Sequence, residues 1–246
     1  MFASRPTGVT ASGRHRLRKR DCPARRGQGR GLTRSDMMLQ SSLDGTARKT
    51  DRLEAFSDAV LAIAITLPVV ELHAPQPEEG DLAAAYLKLM PEYAAYALSV
   101  IFIGLYWAHS HFSGKLLTKT DHGFNLLSVG FLAAVSITPF PARPLIEHLA
   151  GDPQSRIATL VYLGVAAAPA TWWFLRWIYA VRRKLTDPEL TDAYLGHLTL
   201  KYGVTAAAFW IAFVLAFWSW RAALVAAVVV TLSYVVPAAK PSYRAT

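Results

Sequence analysis

Three polar side chains stand at the start of a long apolar run. Arg52, Ser57 and Asp58 precede the sequence AVLAIAITLPVVEL. An ionisable group one turn inside a membrane-length helix is costly unless it is paired or faces water, although an Asp near a helix N-terminus is favoured by the helix macrodipole. Two interpretations are open: a structural clamp near the membrane interface, which we favour, or an Asp58 that moves protons or binds ions directly.

Between Asp58 and Glu71, the run contains only Ala, Ile, Leu, Val, one Thr and Pro68. Arg52, Phe56, Ala59 and Ile63 follow helical spacing of three and four. Rings of Ile or Leu can close a pore by steric fit and dewetting without any charge. Ordinary contact with lipid or with other helices explains the same composition, and composition alone favours that second explanation.

Further polar groups occur in later apolar segments. His109 and His111 are two residues apart, so they point in nearly opposite directions on a helix, whereas two His that share a metal on one helix face are spaced i, i+4. We expect a hydrogen bond between helices or an interfacial position, and proton sensing is a further option. Asn125 is suited to an interhelical hydrogen bond. The sequence predicts no catalytic residue, metal site or cofactor.

The composition is that of a membrane protein. Of the 246 residues, 53% are hydrophobic and 17% are charged, whereas a soluble domain carries about 25% charged residues. A helix needs roughly 20 apolar residues to span a bilayer. Six segments meet this length, which predicts an all-α protein with six transmembrane helices: about 52–72, 86–112, 122–140, 157–180, 199–218 and 221–238.

The loop charges predict an orientation. The N-terminal tail and the loops after spans two and four carry Lys and Arg, as does the C-terminus, whereas the loop after span one is acidic. Because cytoplasmic loops carry the excess of Lys and Arg, we expect both termini in the cytoplasm.

The first 50 residues hold 12 Lys/Arg and 3 Asp/Glu, so the whole net charge of +9 lies there. Such a basic, Gly-containing segment cannot bury enough apolar surface to fold, and we expect disorder. It could contact anionic lipid headgroups, or Met37 or Met38 could be the true start. No aromatic residues interleave the basic ones, so no nucleic-acid partner is expected. The only cysteine, Cys22, lies here.

The string R-x-x-x-F-S-D, formed by Arg52, Phe56, Ser57 and Asp58, resembles the first helix of the transmembrane protein 175 family. The segments YWAHSHF and FNLLSVGFLAAVSITPFP and the six-span layout are also similar to its bacterial members. The resemblance covers about residues 50–240. It divides the chain into a basic tail (1–48), a six-helix channel domain (49–240) and a short C-terminal tail (241–246).

The resemblance implies a potassium-permeable cation channel that is not an enzyme, a homotetramer in the bilayer of a bacterial plasma membrane. The first helix would line the pore, and potassium would be the permeant ion. By the spacing from the motif, Ile63, Leu67 and Val70 would constrict the pore, and Thr66 matches a position implicated in potassium preference. Pro68 stands where many members have an aliphatic residue, and we expect it to kink the helix and displace the lower ring.

The resemblance also implies that the motif bridges to polar groups of spans two and three. His109, His111 and Asn125 are the candidate partners. The main alternative function is a proton-coupled or other secondary transporter, which would need an ionisable site near the membrane midplane. The middles of the spans are nearly free of acids, which counts against it.

Overall fold

The computed structural model describes residues 46–75, 81–235 and 240–243. This part of the chain is almost entirely helical, as the sequence predicts. It contains eight α-helices and one 3₁₀ helix. In chain order they are α1 (Thr46–Thr66), the 3₁₀ helix (Leu67–Glu71), α2 (Leu82–Lys88), α3 (Met90–Gly114), α4 (His122–Ser136), α5 (Ala142–Glu147), α6 (Ser155–Arg182), α7 (Asp192–Leu215) and α8 (Trp220–Ser233).

The two prolines at helix junctions change the local backbone. The α-helical part of the first span ends at Thr66, and Pro68 occupies the first turn of the 3₁₀ helix that continues it. Proline has no N–H to donate into an α-helical turn, so the tighter helix type takes over. Pro91 stands in the first turn of α3, which meets α2 at a bend of 48° around Leu89.

Side-chain caps fix where other helices begin. Asp121 accepts a hydrogen bond from the backbone N–H of Phe124 at 2.8 Å and starts α4. Thr191 caps α7 in the same way, as the preference for oxygen-bearing residues at this position predicts. The hydrogen bond from Phe124, followed by those from Tyr179 and Arg183, holds the pKa of Asp121 below its usual value.

Contacts between loops show which helix ends lie together. The segment after α3 pairs with the segment after α6 through Leu117 and Thr186, and Leu190 pairs with Tyr243 near the C-terminus. Leu53 of α1 packs in the same cluster as Leu117. The beginning of α1 and the C-terminal segment 240–243 therefore lie on one face. The backbone N–H of Thr191 also donates to the carbonyl oxygen of Ser242 at 3.0 Å; the division into tail, channel domain and C-terminal tail stays a prediction.

Polar contacts centred on Glu92 and Arg143 hold the opposite face together. Glu92 at the start of α3 contacts His73 beyond the 3₁₀ helix at 3.1 Å and Arg143 of α5 at 3.0 Å. Arg143 also donates to Glu147 at 2.8 Å. These contacts join the far end of the first span to the segment that follows α4.

The core centres on α6, which packs mainly against α7 and α4. Its buried side chains include several Ala residues, which allow close approach of α7 and α8, and Trp173 and Trp177, which pack edge-on against Tyr202. Half of the apolar segment of α6 is buried. The membrane protein predicted from composition therefore has a well-packed helical centre.

Within the described residues, three helices are long and apolar enough to cross a membrane: 50–71, 155–182 and 192–215. The bent pair α2 and α3 makes a fourth if it is one span. The helices at 122–136 and 220–233 are apolar but shorter. The prediction of a polytopic helical membrane protein is confirmed, while the count of six spans and the cytoplasmic termini stay predictions. The predicted disordered tail falls almost wholly outside the described residues.

Candidate functional site

The first span has one face packed on the protein and one face open. Its buried positions are Ser57, Leu61, Ala64 and Pro68, which recur at intervals of three and four and so form one helical stripe. This stripe packs against α3 and α4. Only 22% of the apolar segment is buried, against 50% for α6.

The open face is formed by apolar side chains. Ile63 is 59% exposed, Leu67 is 58% exposed and Val70 is 79% exposed. They are the three residues that the resemblance implies as a constriction, and the structure brings them to the same side of the span. Within residues 46–75, 81–235 and 240–243, no other part of the chain covers them. The arrangement is suited to packing against, or enclosing space with, other copies of the same helix.

Thr66 is the one hydroxyl on this open face. Its Oγ1 lies 2.9 Å from the carbonyl oxygen of Ile63 and 3.1 Å from that of Ala62. Because carbonyl oxygens only accept, the hydroxyl proton points back into the helix. The lone pairs of Oγ1 remain directed away from it. Thr66 can therefore present an oxygen acceptor without breaking the helix.

Asp58 is anchored by a residue that the sequence analysis did not single out as its partner. Trp107 of α3 donates a hydrogen bond from Nε1 to Oδ1 of Asp58 at 3.1 Å. The Trp107 ring stacks on His111, with 6.1 Å between centroids. The interaction joins the motif to the segment YWAHSHF. A stack of Trp and His is a rigid support for a carboxylate, which agrees with a structural role for Asp58.

A small cavity lies behind the motif, between α1, α3, α4 and α6. Its volume is about 30 Å³, enough for one or two water molecules. Most of the residues that line it are polar, among them Thr50, Ser57, His111 and Ser113. Ser57 is buried and Asp58 stands at the rim. The motif thus borders a cavity within the subunit that is large enough for water.

The other site residues predicted from the sequence lie apart from the cavity, with one exception. His109 faces away from the motif: its Nδ1 lies 3.0 Å from the carbonyl oxygen of Leu105, and its ring packs on Tyr234, which directly follows α8. Asn125 is exposed on α4, apart from the cavity. Arg52 and Phe56 are exposed on α1. Of the three candidate partners, only His111 lies beside Ser57 and Asp58.

Arg176, which is not among the site residues predicted from the sequence, lines the same cavity from α6 and is only 7% exposed. The available signal was a single charge inside the apolar run TWWFLRWIYA. Charged residues within a span face the protein interior or a hydrated cavity. Applied to Arg176, this rule would have placed it next to a polar group of another helix.

Comparison with known proteins adds to this geometry. The sequence model of a family described as the endosomal/lysosomal potassium channel TMEM175 matches residues 52–139. The protein is 35% identical to a potassium channel of Chamaesiphon minutus over 173 residues, which are 69% of this chain and 85% of that relative. It is 35% identical to a potassium channel of Streptomyces collinus over 133 residues, 52% of this chain and 65% of that relative.

A solved structure supports the same relationship. The crystal structure of a lysosomal potassium-selective channel TMEM175 homolog from Chamaesiphon minutus matches with a TM-score of 0.65 and 31% sequence identity. The match covers 76% of this chain and 97% of that chain. The identity, the coverage and the shared fold, together with the R-x-x-x-F-S-D motif, show that this protein belongs to the TMEM175 family.

Proposed function

We propose that this protein is a potassium-permeable channel whose pore is enclosed by the open face of the first span in several copies of the chain. The observation that carries the proposal is the uncovered aliphatic stripe of Ile63, Leu67 and Val70. It lies in the part of the chain that matches the family. Relatives named potassium channels support the choice of ion.

The stripe would form successive apolar rings along the pore. Ile63 and Leu67 are four residues apart in the sequence, so their rings are separated by about 6 Å. Val70 follows Leu67 after one 3₁₀ turn, again about 6 Å further. Each ring narrows the path and disfavours bulk water, so that an ion crosses it partly dehydrated.

Thr66 would compensate that dehydration. Its level lies between those of Ile63 and Leu67, and its hydroxyl proton is engaged with its own helix. Four such oxygens around an axis would offer acceptors in place of lost water. Potassium loses its hydration more readily than sodium, so a site of this kind favours potassium weakly.

The motif would act as an anchor and would not touch the ion. Asp58 is held by Trp107 on the side of the helix that packs against α3. Four copies in a closed ring are proposed, since cyclic symmetry places the same face of every chain around one central axis. A bacterial plasma membrane is proposed because the relatives named potassium channels come from bacteria. The loop charges support the proposal that both termini lie in the cytoplasm.

Ion flux in liposomes tests the proposal. Purified protein would be reconstituted, and potassium and sodium gradients compared with and without a proton uncoupler. We expect flux down a potassium gradient that rises linearly with concentration and does not depend on a proton gradient. Flux that saturates or requires a proton gradient would favour a secondary transporter, and absent flux would contradict a transport role.

A further inference from the structure

A second small cavity lies in the centre of the subunit, between α3, α6, α7 and the end of α8. Its volume is about 30 Å³, which accommodates about two water molecules. Most of its wall is aromatic or aliphatic. A cavity of this size stays dry when its wall is wholly apolar and holds water when polar atoms on the wall need partners. The polar atoms of the wall therefore decide what the cavity contains.

Two residues of the wall carry buried polar atoms that lack partners. Trp173 of α6 is 4% exposed and Tyr202 of α7 is 1% exposed, and both line the cavity. Within the described part of the chain, neither Nε1 of Trp173 nor the hydroxyl oxygen of Tyr202 has a hydrogen-bond partner. Buried polar groups without partners are rare in folded proteins, because each one destabilises the folded state.

The two groups lie close together but do not satisfy each other. Their rings meet edge-on, with 5.7 Å between centroids and an interplanar angle of 85°. The indole of Trp173 lies near the hydroxyl of Tyr202, yet the pair does not reach hydrogen-bond geometry. An indole N–H only donates, whereas a hydroxyl both donates and accepts. One water molecule beside both groups can accept from the indole and bond to the hydroxyl.

The rest of the wall supplies acceptors for the protons of water. Nδ1 of His109 lies 3.0 Å from the carbonyl oxygen of Leu105, so in the neutral ring Nδ1 carries the proton and Nε2 is an acceptor. The hydroxyl of Tyr234 donates to Thr205 at 2.7 Å and keeps its own lone pairs. His109, Thr205 and Tyr234 all line the cavity. Buried waters usually make about three hydrogen bonds, and this wall offers enough partners.

We propose that this cavity is a buried water site, in which an ordered water molecule bridges Trp173 of α6 and Tyr202 of α7. The water completes the hydrogen bonding of two side chains in the most closely packed part of the subunit. It thereby links α6 to α7 through a polar contact within an otherwise apolar interface. The inference is independent of the proposed channel function: a protein without potassium flux would still hold this water.

High-resolution structures and thermal unfolding test the water site. The structure of the wild-type protein would be determined at a resolution that shows ordered water, and again for Tyr202→Phe. Phenylalanine keeps the ring and removes only the hydroxyl. Tyr162→Phe is the matched control, since Tyr162 is a buried tyrosine of α6 that does not line the cavity. The Tm of all three purified proteins would be measured in the same detergent.

We expect density for a water within hydrogen-bond distance of both Nε1 of Trp173 and the hydroxyl of Tyr202. Tyr202→Phe should lose or displace this density and lower Tm, whereas Tyr162→Phe should keep the density. The sign of the Tm change is informative, because removing a hydroxyl that truly has no partner relieves an unsatisfied group and raises stability.

Three results would overturn the proposal. The first is a wild-type cavity without density, whether or not Trp173 then bonds directly to Tyr202. The second is density too large for water, which would assign the cavity to another ligand. The third is a Tm of Tyr202→Phe that equals or exceeds that of the wild type. If Tyr202→Phe does not fold, the wild-type density alone decides the question.

Discussion

Replacing Ile63 and Leu61 by alanine separates selectivity from stability on one helix. Ile63 is 59% exposed and Leu61 is 1% exposed, and they are two residues apart. Leu61 packs in the cluster that contains Ile103 and Phe131. The two side chains are similar in size, so a different result for each variant depends on which face of the helix it occupies.

The expected magnitudes follow from burial. Leu61→Ala removes a fully buried side chain and should lower the free energy of unfolding by about 2–5 kcal/mol. Ile63→Ala removes an uncovered one, and we expect a change within about 0.5 kcal/mol. It shortens the side chain by roughly two C–C bonds, about 2.5 Å. On opposite sides of a pore, this widens the Ile63 ring by about 5 Å, enough to admit more water with the ion.

The assays are the Tm of the purified protein and the potassium-to-sodium flux ratio in liposomes. Ile63→Ala should raise leak and lower the ratio at nearly constant Tm. Leu61→Ala should lower Tm while the surviving protein keeps the wild-type ratio. An unchanged ratio in Ile63→Ala would refute the pore assignment. A large loss of Tm in that variant would instead place Ile63 in a packed contact between subunits.

Three further predictions concern single side chains. Thr66→Val should reduce the preference for potassium while Thr66→Ser retains it, because only the hydroxyl oxygen is proposed to face the ion; flux ratios measure this. Asp121→Ala should lower the free energy of unfolding by about 1 kcal/mol through loss of the cap on α4. The difference in Tm between this variant and the wild type should become smaller at acidic pH. The folded state depresses the pKa of Asp121, chiefly through the Phe124 N–H, so its stabilisation is present above the ordinary pKa and is lost as the pH falls through the depressed one. Gly123→Ala should lower Tm by an amount corresponding to about 1–3 kcal/mol, since a Cβ there collides with the ring of Tyr179; a wild-type Tm would contradict the close approach of these two residues.

The fold class could be predicted from the sequence because a membrane-spanning helix requires a long apolar run, and such runs are visible without alignment. The residues at which the helices begin and end were predicted less accurately. The predicted fifth span begins near residue 199, whereas α7 begins at Asp192 after the Thr191 cap. Polar residues such as His197 and Lys201 interrupt the apolar pattern in the first turns of this helix, so a search for apolar runs places its start too late. Tertiary packing nevertheless makes these turns helical.

The anchoring of the motif could be predicted only in part. The spacing of Ser57 and Asp58 indicated a clamp, but the choice among His109, His111 and Asn125 depends on how α3 rotates against α1. That rotation brings Trp107 to Asp58 and turns His109 toward Tyr234. No local pattern determines it, because it results from packing between elements that are distant in sequence.

Pro68 shows how local chemistry preserves the open face of the span. We expected a proline here to displace the lower ring. In a continuous α-helix, Val70 would be rotated by about 60° from Leu67, since three residues turn the helix by roughly 300°. The structure has a 3₁₀ helix at Leu67–Glu71, in which three residues make about one full turn. Val70 therefore lies on the same side as Leu67, and both are exposed. Under the proposed function, the change of helix type keeps the third ring in line with the pore.

Pro68→Ala should therefore restore α-helical geometry and turn Val70 away from the pore axis. Val70→Ala should then affect ion selectivity in the wild-type background but not in the Pro68→Ala background. Equal effects of Val70→Ala in both backgrounds would show that the 3₁₀ turn does not set the position of this ring.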